Sequence, residues 1–201
     1  MTPTAGPASP HGGEVRAEIA LRYLLLTATV VGVVGVAGHW LAWPLITSTV
    51  GPTAYMFVAH PETEASRFKN AVIGHTVAVG TGLAAVAVFG LVQHPSVSAT
   101  GAPSFTQAAA AAVAAGVTVA VLEVVGCHHA PAAATALLIA TGLAKAGAPL
   151  IGLVLGLAIV IALGPLIGRV PLARRASTAE QTITGELTGR PAPNRNATTN
   201  T

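Results

Sequence analysis

The sequence predicts an all-α membrane protein, a helical bundle of about six crossings in two inverted repeats of three, each with a broken middle helix. Three observations carry that expectation. Apolar residues fill 52% of the 201 positions and charged residues 8%, outside the range of soluble domains. The apolar residues gather in runs of bilayer length, and two of those runs are interrupted by proline at corresponding places.

Residues 1–18, rich in Pro, Gly and small polar side chains, read as a disordered tail. Ile19 to Gly38 is apolar but for Arg22, Tyr23 and two threonines, close to the ~20 residues that a bilayer core requires. A cleaved signal peptide is the rival reading of this start, but the stretch is longer than a usual signal core and further spans follow. His39 to Ala59 opens with Trp40 and Trp43 as interface anchors and is broken by Pro44 and by Gly51-Pro52. The polar loop His60 to Asn70 leads into Ala71 to Val92, which holds His75. Gln93 to Ser104 is a loop without Lys or Arg, and Phe105 to Gly126 is the fourth run, with Glu123 near its end. Cys127 to Ala144, carrying His128, His129 and Pro131, is the second broken span, and Ala146 to Gly168 is the last. Residues 169–201 read as another disordered tail, which leaves 19–168 as the transmembrane domain.

Mean hydropathy of +0.68 with only 4% aromatic residues means that Ala, Val, Leu, Ile and Gly supply the apolar surface, and such helices pack closely in lipid. The formal charge of +3 does not point to nucleic acid, because Lys and Arg sit at segment ends rather than in a stripe. Cys127 is the single cysteine, so neither an intrachain disulfide nor a multi-cysteine metal cage can form.

Lys and Arg accumulate in short cytoplasmic loops, and this rule tests whether the broken stretches cross. If both cross, Arg67, Lys69, Arg169, Arg174 and Arg175 lie on the cytoplasmic side with both termini, the uncharged loop lies outside, and only Lys145 dissents. If neither crosses, Arg67 and Lys69 lie outside. Six crossings of a cell membrane are therefore expected. They divide into two halves of opposite orientation, with Gly51-Pro52-Thr53-Ala54 of the first matching Ala130-Pro131-Ala132-Ala133 of the second.

Proline is tolerated at a helix start, where its missing N–H would have no partner, so Pro52 and Pro131 mark helix starts inside the bundle. Unpaired N–H groups at such starts are costly in lipid unless protein, water or a ligand satisfies them, and an anion would do so with help from the helix dipole. Thr53 and Thr135 add hydroxyls nearby. At ~1.5 Å per residue, the first helix start and His75 reach similar depths in the cytoplasmic half. The plainer alternative is that both prolines kink helices whose Ser and Thr neighbours satisfy the freed groups.

Ionisable groups in apolar spans are costly and usually functional, and His75 is the deepest of them. It reads as an anion-site donor or proton carrier, or else as a histidine bonded to a carbonyl. Glu123 reads as an interface residue or a partner for a histidine. Cys127, His128 and His129 resemble metal ligands, but adjacent histidines rarely converge on one ion, so no metal and no cofactor are expected. Gly-x-Ser-x-Gly, Walker and His-Glu-x-x-His motifs are absent, and an enzyme is not expected.

His129-Ala130-Pro131-Ala132-Ala133-Ala134-Thr135-Ala136-Leu137 resembles the signature of the HPP family of integral membrane proteins, in which His-Pro-Pro precedes an Ala-Thr-Ala-Leu run. Asn70-Ala71-Val72-Ile73-Gly74-His75 looks like that family's Asn-Val-Ile-Gly-Gly-His segment, and Gly51-Pro52-Thr53-Ala54 falls in its glycine-rich broken span. The resemblance covers most of residues 19–168, with Ala130 in place of a motif proline. It implies at least four spans and, since some plant and cyanobacterial members are assigned to nitrite transport, a small-anion substrate. The tail after residue 168 is too short for the regulatory domain that some members carry.

Together these readings point to a transporter or channel for a small monovalent anion, nitrite first. The candidate substrate-binding residues are Gly51, Pro52, Thr53, Asn70, His75, His129, Pro131 and Thr135. Expected partners are the anion and the lipid bilayer, not nucleic acid, and the sequence is compatible with a homo-oligomer. The alternative is a non-transporting membrane scaffold or metal-binding membrane component.

Overall fold

The structure, a computed structural model, describes residues 10–168. Along the chain come α1 (Pro10–Leu41), α2 (Val50–Ala59), a 3-10 turn (Glu64–Ser66), α3 (Phe68–Val88), α4 (Val97–Thr100), α5 (Phe105–Val124), α6 (Pro131–Ala140) and α7 (Ala148–Gly168), with no strand among the described residues. Helices α1, α3, α5 and α7 are long and apolar enough to cross a membrane. The ten-residue helices α2 and α6 are not, since each reaches about 15 Å, half of a bilayer core.

Helix α1 begins at Pro10, inside the segment read as a tail, with proline in its first turn, where it is tolerated, and an Arg22–Glu18 ion pair one turn apart further along. The remainder of that tail and the expected tail at 169–201 lie outside the described residues. Pro44 does not bend a helix. It sits in the non-helical stretch between α1 and α2, which extends the break well beyond the Gly51-Pro52 pair.

Two groups of three helices form, α1 with α2 and α7, and α3 with α5 and α6. The first group packs branched and aromatic side chains: Val30, Val34, Leu45, Phe57, Leu157 and Val160 are all buried. The second is almost entirely alanine, with Ala78, Ala110, Ala114, Ala132, Ala136 and Ala140 at its centre. Small side chains let these three backbones approach closely, which is how helices gain packing energy in lipid.

Glycines set the direction of each short helix. Gly74 of α3 lies against His129 and Gly82 against Ile139, so α6 runs alongside α3 in the same sense. Gly152 of α7 meets the Pro44 carbonyl, Gly156 the Leu45 carbonyl and Gly164 the Phe57 ring, so α7 runs in the same sense as α2 and the stretch before it. Helix α5 is antiparallel to α3: Thr81 bonds Thr118 at 2.6 Å, while Cys127 Sγ, just past the end of α5, reaches the Asn70 carbonyl at 3.2 Å near the start of α3. At the opposite end, buried Gln107 completes a capping box with Ser104 and donates to the carbonyls of Pro95 and Thr141, tying α5 to the end of α6.

A methyl group at Gly156 would collide with main-chain oxygen, whereas one at Gly116 meets open space. Gly156→Ala should therefore destabilise the protein by about 1–3 kcal/mol, and Gly116→Ala should be neutral or mildly stabilising. Thermal unfolding in detergent compares the two.

Candidate functional site

The site begins with a tight exit from α5. Gly126 takes φ +64, which lets Cys127 N–H bond the Leu122 carbonyl and Gly126 N–H bond the Glu123 carbonyl. The chain reverses over the start of α3 and carries His129 onto Gly74, where a Cβ would lie 3.0 Å from the His129 Cβ. Without a side chain at position 74 the histidine can lie flat against the helix. Its Nδ1 donates to the Ala65 carbonyl at 2.7 Å. The segment bearing Ala65 is held by Asn70 Nδ2 donating to the Glu64 carbonyl and by Ser66 Oγ donating to the Met56 carbonyl.

His75 stands two turns into α3 and meets three partners. Its Nε2 lies 3.1 Å from His129 Nε2 and 3.2 Å from Thr53 Oγ1 of α2, and its Nδ1 lies 2.9 Å from Thr135 Oγ1 of α6. The two rings meet edge to face. All four side chains are buried, with Thr53 and Thr135 wholly so. No buried side-chain polar atom among the described residues lacks a partner, as a low-dielectric interior demands.

Four of the expected residues, Thr53, His75, His129 and Thr135, thus form one hydrogen-bonded cluster. Pro131 is the first residue of α6, immediately behind His129, while Gly51 and Pro52 lie in the first turn of α2, which starts at Val50. Asn70 stands apart from the rings and props the Glu64–Ser66 turn. The helix starts are less open than their prolines suggest. Val50 N–H bonds the Thr47 carbonyl and Thr53 N–H the Thr49 carbonyl, while Ala132 and Ala133 N–H bond the carbonyls of His129 and Ala130. The four buried side chains thus add polar contacts beside helix starts whose amides are in part already bonded. Ala65 was not expected, and nothing in its residue type marks a carbonyl as an acceptor.

His128 and His129 differ in burial. His128 is exposed and faces Glu123 at 4.0 Å, whereas His129 is 1% exposed. Among the described residues no three His, Cys, Asp or Glu side chains are grouped to hold a metal ion.

The histidine pair separates two clefts. One, of about 420 Å³, opens between α3 and α7 and is lined by Val72, His75, Thr76, Val79, Leu157 and Ile161. The other, of about 460 Å³, is lined by Ala65, Glu123, Cys127, His128, His129 and Ala133. The first is almost wholly apolar apart from His75 and Thr76.

Compared with known proteins, residues 13–177 match the family model described as HPP, transmembrane region. No curated protein and no solved structure matches the chain.

Thr135→Val keeps the shape of the side chain but removes the partner of His75 Nδ1, leaving a buried nitrogen unsatisfied. It should cost about 1–3 kcal/mol, and Thr135→Ser should restore most of that loss. Equilibrium unfolding of the two variants beside the parent measures both effects.

Proposed function

The chain belongs to the HPP transmembrane family, and from that membership we propose that it carries a small monovalent anion across a membrane, with nitrite the first candidate. The observation that supports this most is the buried cluster of His75, His129, Thr53 and Thr135, placed where the two short helices begin. Buried ionisable groups inside apolar bundles mark substrate or proton pathways, and the starts of discontinuous helices are where transporters hold their ligands. The family's link to transport points the same way. In this reading the closed histidine pair blocks passage between the two clefts, and protonation of His75 supplies the positive charge that draws the anion.

The same reading takes the chain as six crossings in two inverted repeats, with both termini cytoplasmic and the cell membrane as its site. Each extended stretch and its short helix together make one crossing. Support comes from matched packing: α3 carries Gly74 and Gly82 against the segment before α6 and α6 itself, and α7 carries Gly156 and Gly164 against the segment before α2 and α2 itself. Both glycine pairs are spaced eight residues apart. Each helix group also joins the first two helices of one half to the last helix of the other, the exchange that a twofold relation between halves produces.

A second reading has its own support. Because every buried polar side chain among the described residues already has a partner, the cluster would also serve as a fastener in a non-transporting membrane scaffold.

Nitrite uptake into liposomes containing the purified protein should fall to background in His75→Ala at both acidic and neutral pH. Thr53→Val, which loses one bond to the ring, should lower uptake by about tenfold. A scaffold would keep its activity in Thr53→Val and Pro52→Ala, and absence of uptake by the parent protein for nitrite, nitrate, formate and bicarbonate would favour it.

Thiol labelling tests the crossings with little background, since Cys127 is 3% exposed. Glu62→Cys should react from the same side as Arg174→Cys, and Ser98→Cys from the other. With four crossings, Glu62→Cys and Arg174→Cys would react from opposite sides.

A further inference from the structure

The proton positions in the histidine pair follow from a single partner. The Ala65 carbonyl can only accept, so His129 Nδ1 carries a hydrogen. In the neutral ring His129 Nε2 is then bare, and its 3.1 Å contact with His75 Nε2 requires the hydrogen to sit on His75. His75 Nδ1 is left bare, so the Thr135 hydroxyl donates to it. Thr53 Oγ1 accepts a share of the His75 Nε2–H. The uncharged pair thus holds one ring hydrogen on each imidazole.

One more proton fits without loss of a contact. It bonds to the lone pair of His75 Nδ1, which then donates to Thr135 Oγ1. The Thr135 hydroxyl turns its own hydrogen to a carbonyl one turn back on α6, as helical threonines do. The Nε2 hydrogen stays on His75 or crosses to His129 Nε2, breaking one N–H bond as it makes the other, and the pair bears one positive charge. A second added proton has no place. It would set N–H groups on both Nε2 atoms, facing each other at 3.1 Å with no acceptor between them.

We infer that His75 and His129 form one site for a single proton, and that the protein moves its anion together with that one proton and without net charge. The coupling rests on the anion-transport reading, whereas the one-proton site does not. Few other ionisable groups surround the pair. Glu64, Arg67 and Lys69 are exposed at the head of α3, with Arg67 paired to Glu64. Glu123 and His128 face one another in the cleft behind His129, and Cys127 donates to the Asn70 carbonyl. Helices α6 and α7 carry no ionisable side chain, and α2 carries only Tyr55, exposed and packed edge-on against His60.

Two measurements test this on the full chain. Protein with ¹⁵N-labelled histidine in nanodiscs is titrated by NMR, with His75→Asn and His129→Asn assigning the two rings. Uptake of one proton by the pair supports the site, and uptake of two with the fold retained overturns it. In proteoliposomes, nitrite accumulation is followed under a pH gradient alone and under a potassium diffusion potential alone, corrected for protein-free vesicles. The pH gradient should drive accumulation of about tenfold per unit. A 100 mV potential should drive none, whereas uncoupled movement of the anion would respond by about 50-fold. Accumulation driven by potential overturns the coupling and leaves transport standing. No uptake under either gradient removes both transport and coupling, and the titration then decides the proton site by itself.

Discussion

The bond from His129 Nδ1 to the Ala65 carbonyl is the contact on which the rest of the site depends. A carbonyl oxygen offers only lone pairs, so this bond fixes which nitrogen of His129 is protonated and, through it, the direction of every other bond in the cluster. Holding it takes three separate features. Gly126 turns the chain sharply after α5, Gly74 leaves room for the histidine against α3, and Asn70 and Ser66 hold the Ala65 segment in place. None of these bonds the His75 ring, yet each sets where its partner stands.

Much of this architecture was legible in the sequence because its signals were local. The starts of α5 and α6 fall at Phe105 and Pro131, where a capping serine precedes one and a proline opens the other. The meeting of Thr53 with His75 followed from counting helical rise along two adjacent segments. Other features were invisible for physical reasons. Whether His128 or His129 turns inward depends on the turn at Gly126 and on the space beside Gly74, and neither can be read from two adjacent histidines. Several amides at the starts of α2 and α6, those of Val50, Thr53, Ala132 and Ala133, find carbonyls within their own turns, which a proline and its neighbours do not announce. Ala65 takes part only through its main chain, and α1 continues back to Pro10 through a segment that has no apolar periodicity to announce it.

The two helix groups are built from different materials. Around α6 the buried contacts are mostly alanine, with Ile139 set against Gly82, and the short alanine side chains have little freedom to rearrange. Around α2 they are chiefly Leu, Val and Phe, larger side chains buried among one another. His75 belongs to the group of α3, α5 and α6 and reaches the group of α1, α2 and α7 through the Thr53 hydroxyl. A cleft opens beside His75 between α3 and α7, one helix from each group.

The docking of α7 against α2 also bears on how the chain is made. The carbonyls of Pro44 and Leu45 nestle against Gly152 and Gly156, and the Phe57 ring against Gly164. These glycines belong to the last helix of the described chain, so during synthesis the stretch before α2 emerges more than a hundred residues ahead of the surface that covers it. Helix α6, by contrast, finds α3 and α5 already made. The nascent second group can therefore pack as soon as α6 appears, while the first must keep an interrupted apolar segment shielded until α7 has been made. Loss of α7 by truncation would strand α2, and that half of the protein is where a membrane chaperone or quality-control protease would find its handle.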